Sequence, residues 1–152
     1  MVRPESEASV RARDAGAGES LACRVRDALS ARTEVLEAYL FGSQATGAAR
    51  AHSDIDVAVY VDPHALRAAG GYGYEAALTA DLITALGRND VDVVVLNRAP
   101  PLLYHRVLRD GTRLLARDPA ATTTREGRAL SRYCDDLPRL AILERALGSG
   151  HR

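Results

Sequence analysis

Three aspartates occupy positions where acidic side chains are unusual. Asp54 and Asp56 open an apolar run that ends at residue 61, and Asp92 is the only charged residue in the valine-rich run at residues 91–97. Both runs have the composition of β-strands. Because side chains alternate along a strand, we expect Asp54 and Asp56 to project from one face, about 7 Å apart. Acids placed in this way need a partner that compensates their charge.

The most direct partner for such a group of carboxylates is a metal ion. Neighbouring carboxylates repel one another unless a cation lies between them. Ligand sets made only of oxygen favour Mg²⁺ or Mn²⁺ over zinc. If the second and third strands are neighbours, Asp92 joins Asp54 and Asp56, and the three can hold two Mg²⁺ ions, one at an acceptor oxygen and one on the phosphates of a nucleoside triphosphate.

A Gly-Ser pair ten residues before Asp54 supplies the chemistry that a triphosphate needs. Gly42 follows an apolar strand-like run, and Ser43 is suited to cap a short helix. Glycine lets the backbone approach a ligand closely, and N–H groups at a helix start bind anions. The pattern Gly-Ser, ten residues, Asp-x-Asp, with a later strand aspartate, therefore predicts a site that holds phosphate beside metal.

The elements that hold these residues can be read from apolar spacing. Helices are expected from Glu19 to about Arg32, at residues 74–90 with a stop in Gly-Arg-Asn-Asp, at 102–109, and after Asp118-Pro119, where Pro138 should divide the tail into two pieces. Strands are expected at residues 35–41, 54–61, 91–97 and 112–117. The third strand should be central or covered on both faces, and the fourth short and at an edge. This order predicts an α+β fold, with a small mixed β-sheet and flanking helices.

Length and composition restrict the remaining possibilities. A chain of 152 residues supports one domain. We expect a flexible N-terminal arm at residues 1–18 and one domain at 19–148 that ends in a helical tail. There is no long apolar run, so we expect a cytoplasmic protein without a membrane segment. The 20 basic residues balance 20 acidic ones, which argues against binding of long nucleic acid, and all the basic residues are arginines, which excludes a lysine nucleophile.

The motif GSQATGAARAHSDIDVAV and the later VDVVVLN resemble the DNA polymerase β-type nucleotidyltransferase superfamily, and more narrowly its minimal nucleotidyltransferases of the MNT antitoxin type. The resemblance covers about residues 20 to 147. It implies the polymerase β-type fold. It also implies that Gly42 and Ser43 contact the triphosphate, and that Arg50 reaches the phosphates. Asp54 and Asp56 would bind two Mg²⁺ ions, and Asp92 would bind the catalytic metal and help to deprotonate the acceptor.

The same resemblance implies an activity and a partner. MNT antitoxins are similar proteins that transfer AMP from ATP to a tyrosine of a HEPN ribonuclease toxin. Two alternatives remain open: a small-molecule nucleotidyltransferase of the aminoglycoside type, and an antitoxin that acts by binding alone. The short tail after Arg117 leaves little chain for a substrate domain, and three converging acids have no use in a pure binding protein.

Other polar residues have simpler interpretations. We expect His52 to be an exposed loop residue, and Arg125, Arg128 and Arg132 to lie on a solvated face of the last helix. Leu140, Leu143 and Leu147 follow one helical face near the C-terminus. We expect these leucines to be exposed and to contact a partner protein.

Overall fold

The computed structural model describes residues 21–46 and 53–148. Residues 21–30 form helix α1. The other elements, in chain order, are β1 (Val35–Phe41), α2 (Ser43–Thr46), β2 (Ile55–Val61), α3 (Pro63–Ala68), α4 (Tyr72–Leu86), β3 (Val91–Val95), a 3-10 turn (Leu96–Arg98), α5 (Pro101–Asp110), β4 (Thr112–Ala116) and α6 (Pro119–Gly148). The predicted N-terminal arm, residues 1–18, lies outside the described residues.

The four strands form one mixed sheet in the order β3-β2-β1-β4. β1 is antiparallel to both β2 and β4, whereas β2 and β3 are parallel and are joined through α3 and α4. The predicted α+β class is confirmed, as are the edge position of the fourth strand and the contact between the second and third strands. In this topology the starts of β2 and β3 and the end of β1 meet at one end of the sheet. We call this end, which carries Asp54, Asp56 and Asp92, the acidic edge.

Helices cover both faces of the sheet. On the first face, α1 and α4 pack through residues such as Leu29 and Leu78 against Val57 of β2. On the second face, α5 and α6 pack around Tyr39 and Ala58. Each fully buried leucine or valine stabilises the fold by about 1.5–3 kcal/mol. Because strand side chains alternate, the residues that alternate with Val57 point to the second face, and Asp56 is one of them.

The C-terminal helix begins as the sequence predicts. The side chain of Asp118 accepts hydrogen bonds from the backbone N–H groups of Ala120 (3.1 Å) and Ala121 (3.2 Å). Pro119 follows at the first helical position, where its missing N–H costs nothing. The predicted start at Asp118-Pro119 is therefore confirmed.

The prediction that Pro138 divides the tail is wrong, because α6 is one helix from Pro119 to Gly148. Proline cannot donate a hydrogen bond to the carbonyl of Cys134, one turn earlier. Both residues are exposed, so solvent can hydrogen-bond that carbonyl instead. No helix in the described ranges, α6 included, is both long enough and apolar enough to cross a membrane.

The third strand lies at an edge and not at the centre of the sheet. Val91, Val93 and Val95 are buried against the first face, but on the second face Asp92 is exposed and Val94 only half-buried. The valine-rich composition predicted cover on both faces. In fact one valine face is packed fully, and the start of the other face is open around Asp92.

Candidate active site

The parallel pairing of β2 and β3 brings two of the predicted acids side by side. Asp56 is the direct register partner of Asp92, and Phe41 at the end of β1 is the partner of Asp56 on its other side. Paired strands lie about 4.8 Å apart, and directly paired residues point to the same face. Asp92 is exposed and Asp56 is half-buried. The condition set by the sequence for Asp92, that its strand must neighbour that of Asp56, is met.

Gly42, directly after β1, lies against the carboxylate of Asp56. Its φ of +70° is in the left-handed region, which residues with a side chain rarely adopt. A Cβ placed on Gly42 would lie 2.2 Å from Oδ2 of Asp56. Glycine is therefore needed both for the backbone turn and for the close approach. Ser43 begins α2 immediately afterwards, so the Gly-Ser pair and the strand acids share one edge of the sheet.

The surroundings of Asp56 oppose its negative charge. Burial raises the pKa of the Asp56 carboxyl, and the negative charges of Asp92 and Asp54 raise it further. Within the described part of the chain, neither Asp56 nor Asp92 forms an ion pair. The sheet edge therefore concentrates negative charge that a cation would stabilise.

Asp54 lies one residue before β2 and not within it, so the prediction of a strand from residue 54 is wrong at its first residue. Strand alternation therefore does not fix its side chain. The backbone just before Asp54 is held instead, because the carbonyl of Ser53 accepts hydrogen bonds from Arg88 Nη2 (3.1 Å) and Gln44 Nε2 (3.4 Å).

Arg88 is a residue of this site that the sequence analysis missed. Its guanidinium pairs with Asp90, and this hydrogen bond, together with the nearby charge of Asp54, raises the pKa of Arg88. In the sequence, Arg88 was only part of a Gly-Arg-Asn-Asp helix stop. Nothing in that pattern indicates a contact with the backbone 35 residues earlier.

The donor chemistry of this edge fits a hard divalent cation. Asp54, Asp56 and Asp92 offer only carboxylate oxygens, the ligands that Mg²⁺ prefers. The geometry does not present a finished ligand set: among residues 21–46 and 53–148, no three His, Cys, Asp or Glu side chains are grouped closely enough to hold a metal ion. Mutual repulsion of like charges favours such a separation. Asp56 and Asp92 are placed side by side by the register, and the charge of Asp54 acts on Asp56.

Two residues of the predicted site region lie outside the described residues. Arg50, predicted to reach the phosphates, and His52, predicted to be exposed, both belong to the segment at 47–52. Their roles stay predictions.

Glu37, near the other end of the same sheet face, is an acid of a different kind. Its side chain is fully buried, and its carboxylate accepts a hydrogen bond from Nε of Arg125 in α6. The hydroxyl of Tyr39 lies 3.3 Å from Glu37 Oε2 and 2.8 Å from Glu126 Oε1. The Arg125 guanidinium lies over the ring of Tyr60, 4.7 Å from its centre. The prediction that Arg125 lies on a solvated face is therefore wrong, since it joins α6 to the sheet.

Comparison with known proteins agrees with this geometry. The family model described as "Polymerase beta, Nucleotidyltransferase" matches residues 24–120. This segment includes all four strands, the Gly-Ser pair and the three aspartates. No protein of curated function is similar enough to count as a match.

Several solved structures share the fold. A chain in a crystal structure of a toxin-antitoxin with AMP-PNP is 26% identical, with a TM-score of 0.66, over 83% of this chain and 98% of that chain. A chain in a mutant of the toxin-antitoxin MntA-HpeT is 27% identical, with a TM-score of 0.62, over 81% and 94%. A chain in a tri-AMPylated Shewanella oneidensis HEPN toxin in complex with MNT antitoxin is 24% identical, with a TM-score of 0.61, over 86% and 98%.

These findings confirm the resemblance inferred from the Gly-Ser and Asp-x-Asp pattern. The family model covers well over half of the chain, and the two solved structures of 26% and 27% identity described above are of toxin-antitoxin proteins. The chain therefore belongs to the polymerase beta nucleotidyltransferase family.

Proposed function

We propose that this nucleotidyltransferase is an antitoxin-type protein adenylyltransferase, which transfers AMP from ATP to a tyrosine hydroxyl of a partner HEPN ribonuclease toxin. The observation that carries the proposal is the pairing of Asp56 with Asp92, uncompensated by any ion pair of the described residues, against Gly42. Two comparisons support the substrate and the partner. One similar chain is in a toxin-antitoxin structure with AMP-PNP, and another is in a complex with a tri-AMPylated HEPN toxin.

In the proposed reaction, different residues at the acidic edge of the sheet bind the phosphates, bind the metal ions and hold the backbone in place. Gly42 and Ser43 would contact the triphosphate, with Arg50 reaching its phosphates. Asp54, Asp56 and Asp92 would hold two Mg²⁺ ions, which neutralise phosphate charge and lower the pKa of the acceptor hydroxyl. Arg88 would hold the backbone before Asp54 in place through its contact with the Ser53 carbonyl.

The proposed transfer conserves every atom of ATP. The acceptor oxygen forms a bond to the α-phosphorus of ATP, and the bond from that phosphorus to the bridging oxygen of the β-phosphate breaks. Pyrophosphate leaves, and the hydroxyl proton passes to Asp92, which faces the open side of β3. The product is a phosphodiester between AMP and the acceptor tyrosine. Its negative charge and bulk would block an RNA-binding groove on the toxin.

The C-terminal part of α6 is the surface on which we place the partner. Ile142 is 65% exposed, Leu143 60% and Leu147 74%. Leu140, which the sequence predicts to be exposed with them, is half-buried. Exposed apolar side chains clustered on one helix are typical of protein interfaces. A helical toxin that packs here would supply the acceptor tyrosine and one wall of the cleft.

The experiment that tests the proposal uses ATP labelled at its α-phosphate or at its γ-phosphate. The purified protein is incubated with Mg²⁺ and the HEPN-type protein encoded beside it, with ATP carrying the label in the α-phosphate or in the γ-phosphate. We expect label on the partner from α-labelled ATP only, and fragmentation mass spectrometry should place AMP on a tyrosine. The control variant Asp27→Asn removes an exposed acid of α1, whose one ion pair among the described residues is with its neighbour Arg26, and should transfer normally.

Each alternative outcome indicates a different function for the protein. Label from γ-labelled ATP would indicate phosphate transfer and would contradict adenylylation. In a parallel incubation with an aminoglycoside added, label on that compound and never on the partner would indicate a small-molecule nucleotidyltransferase. A stable complex with the partner without any label would indicate an antitoxin that acts by binding alone.

A further inference from the structure

A small cavity on the second face of the sheet is lined by three arginines, more than the ion pairs of the described fold require. The cavity has a volume of ≈ 150 Å³ and lies between α6, the end of β2 and the 3-10 turn. Its lining is mostly polar or aromatic: Tyr60, Leu96, Asn97, Tyr104, Arg125, Arg128, Ala129 and Arg132. Tyr60 follows Asp56 by four residues on β2, so the cavity lies about 13 Å along the strand from the acidic edge.

The three arginines of this cavity differ in how their charge is used. Arg125 is neutralised by the buried Glu37. Arg128 and Arg132 lie three and seven residues further along α6, on the same helical face. Neither forms an ion pair within the part of the chain that the structure describes. Glu126, the acid nearest to Arg128 in the sequence, lies 3.6 Å from Arg113. Asp135 and Asp136, three and four residues after Arg132, form no ion pair with it in the described chain. Two positive charges therefore remain at the mouth of the cavity.

The hydroxyl of Tyr104 is a second and independent sign of a ligand. Tyr104 lines this cavity and is 8% exposed, and its buried hydroxyl has no hydrogen-bond partner among the described residues. Burial and the charge of Glu37 raise the pKa of Tyr104, so its hydroxyl stays protonated and can donate. A buried hydroxyl without a partner destabilises the fold. Asn97 does not relieve it, because its side-chain amide is bonded to both backbone groups of Val61.

We propose that this cavity is a binding site for one phosphate group, held by Arg128 and Arg132 with the Tyr104 hydroxyl as a donor at its base. Guanidinium groups form paired, charge-assisted hydrogen bonds to phosphate oxygens, and a phosphate group fits the small volume. Inorganic phosphate and the terminal phosphate of a nucleoside monophosphate share this chemistry. The site is separate from the triphosphate site at Gly42 and Ser43, and it does not depend on adenylyl transfer.

The test measures phosphate binding in the absence of Mg²⁺. Calorimetry with inorganic phosphate, and separately with AMP, is run on the full chain and on four variants. Arg128→Gln combined with Arg132→Gln should weaken binding at least tenfold, and Tyr104→Phe about fivefold to tenfold. Arg139→Gln removes an exposed arginine of the same helix outside the cavity and should bind normally. Ser43→Ala, at the other end of the sheet face, changes the proposed triphosphate site, and the binding that depends on Arg128 and Arg132 should remain in it.

The results separate this site from its alternatives. Equal loss with phosphate and AMP identifies the phosphate group itself as the ligand, whereas tighter binding of AMP, lost in the same variants, identifies a nucleotide. Binding that is lost in Ser43→Ala and kept in the double arginine variant would overturn the proposal, because phosphate would then occupy the triphosphate site. Normal binding in Tyr104→Phe, with circular dichroism confirming that every variant is folded, would overturn the role of the hydroxyl.

Discussion

Two acids on one face of the sheet, Glu37 and Asp56, differ in how their charge is compensated. Glu37 is fully buried and has Arg125 and the Tyr39 hydroxyl as partners. Asp56 is half-buried, has the like charge of Asp92 as its register partner, and has no ion pair in the described chain. Glu37 therefore serves the architecture, since it ties α6 to the sheet. Asp56 carries an electrostatic cost that the fold does not remove.

This difference indicates which acid belongs to the chemistry. A buried charge that the fold itself compensates can be explained by the structure alone. A pair of like charges placed together at a strand edge, against a glycine that leaves room for the carboxylate, requires a cation from outside the chain to explain it. A change at Asp56 should therefore reduce activity and preserve stability, whereas a change that breaks the Glu37 pair should reduce stability.

The largest expected effect is on transfer by Asp56→Asn. The change removes a proposed metal ligand and keeps the shape of the side chain, so we expect AMP transfer to fall at least about 1,000-fold, which corresponds to about 4 kcal/mol in the barrier. Transfer is measured with α-labelled ATP, and the Asp27→Asn variant is the control. Near-normal transfer with normal Mg²⁺ dependence would remove Asp56 from the site.

The next effect should come from Arg125→Met, at the compensated acid. Glu37 would stay buried without its cation, so the free energy of unfolding should fall by about 2–4 kcal/mol. Urea denaturation measures this change. The exposed Arg139→Gln serves as the control and should be neutral. A stable Arg125→Met protein would show that the buried pair is not what holds α6 to the sheet.

Gly42→Ala tests the contact beside the acidic edge. The added Cβ would meet Oδ2 of Asp56, and the backbone would keep a strained positive φ, so we expect a loss of stability of about 1–3 kcal/mol and weaker transfer. Gly73→Ala is a matched control, because Gly73 lies in α4 with nothing within 4 Å of its added Cβ. Both are compared by thermal unfolding and by the transfer assay. Equal effects of the two changes would refute the close approach at Gly42.

The smallest expected effect is on the stability of Asp56→Asn without metal. Removing one charge from the acidic edge should raise the melting temperature at neutral pH by no more than about 3 °C. The pKa of Asp56 is raised in the folded protein, so the folded state binds a proton more readily than the unfolded state. Between the ordinary value of 3.8 and the raised value, wild-type stability therefore increases as the pH falls, and the advantage of the variant disappears. A melting temperature that falls at neutral pH would contradict the assigned repulsion.

Local sequence signals predicted the acidic edge better than they predicted the rest of the second face. The strands, the Asp118 cap and the proximity of Asp56 to Asp92 follow from alternation, turn residues and the order of elements. The edge position of β3 could not be read from its valines, because composition does not distinguish a strand packed on one face from a central strand. Pro138 is tolerated within a continuous helix because it lies on the solvent-exposed side of α6. The sequence alone does not show which side of the helix is exposed.

Long-range polar contacts were beyond the sequence. Arg125 reaches an acid 88 residues away, and Arg88 reaches a backbone carbonyl 35 residues away. No spacing rule connects such partners, because their contact depends on the packed sheet and not on one element. The missed residues are therefore those whose role is to hold the sheet and its loops together.

The intact mass of the HEPN-type partner, after co-expression with the wild-type protein or with Asp56→Asn, distinguishes catalysis from binding alone. We expect the partner to gain one or more AMP units with the wild type and none with the variant, although both co-purify with it. We also expect only the wild type to relieve growth arrest fully. A partner of unchanged mass, in cells that the Asp56→Asn variant protects as well as the wild type, would show that Asp56 and adenylyl transfer are not needed for neutralisation.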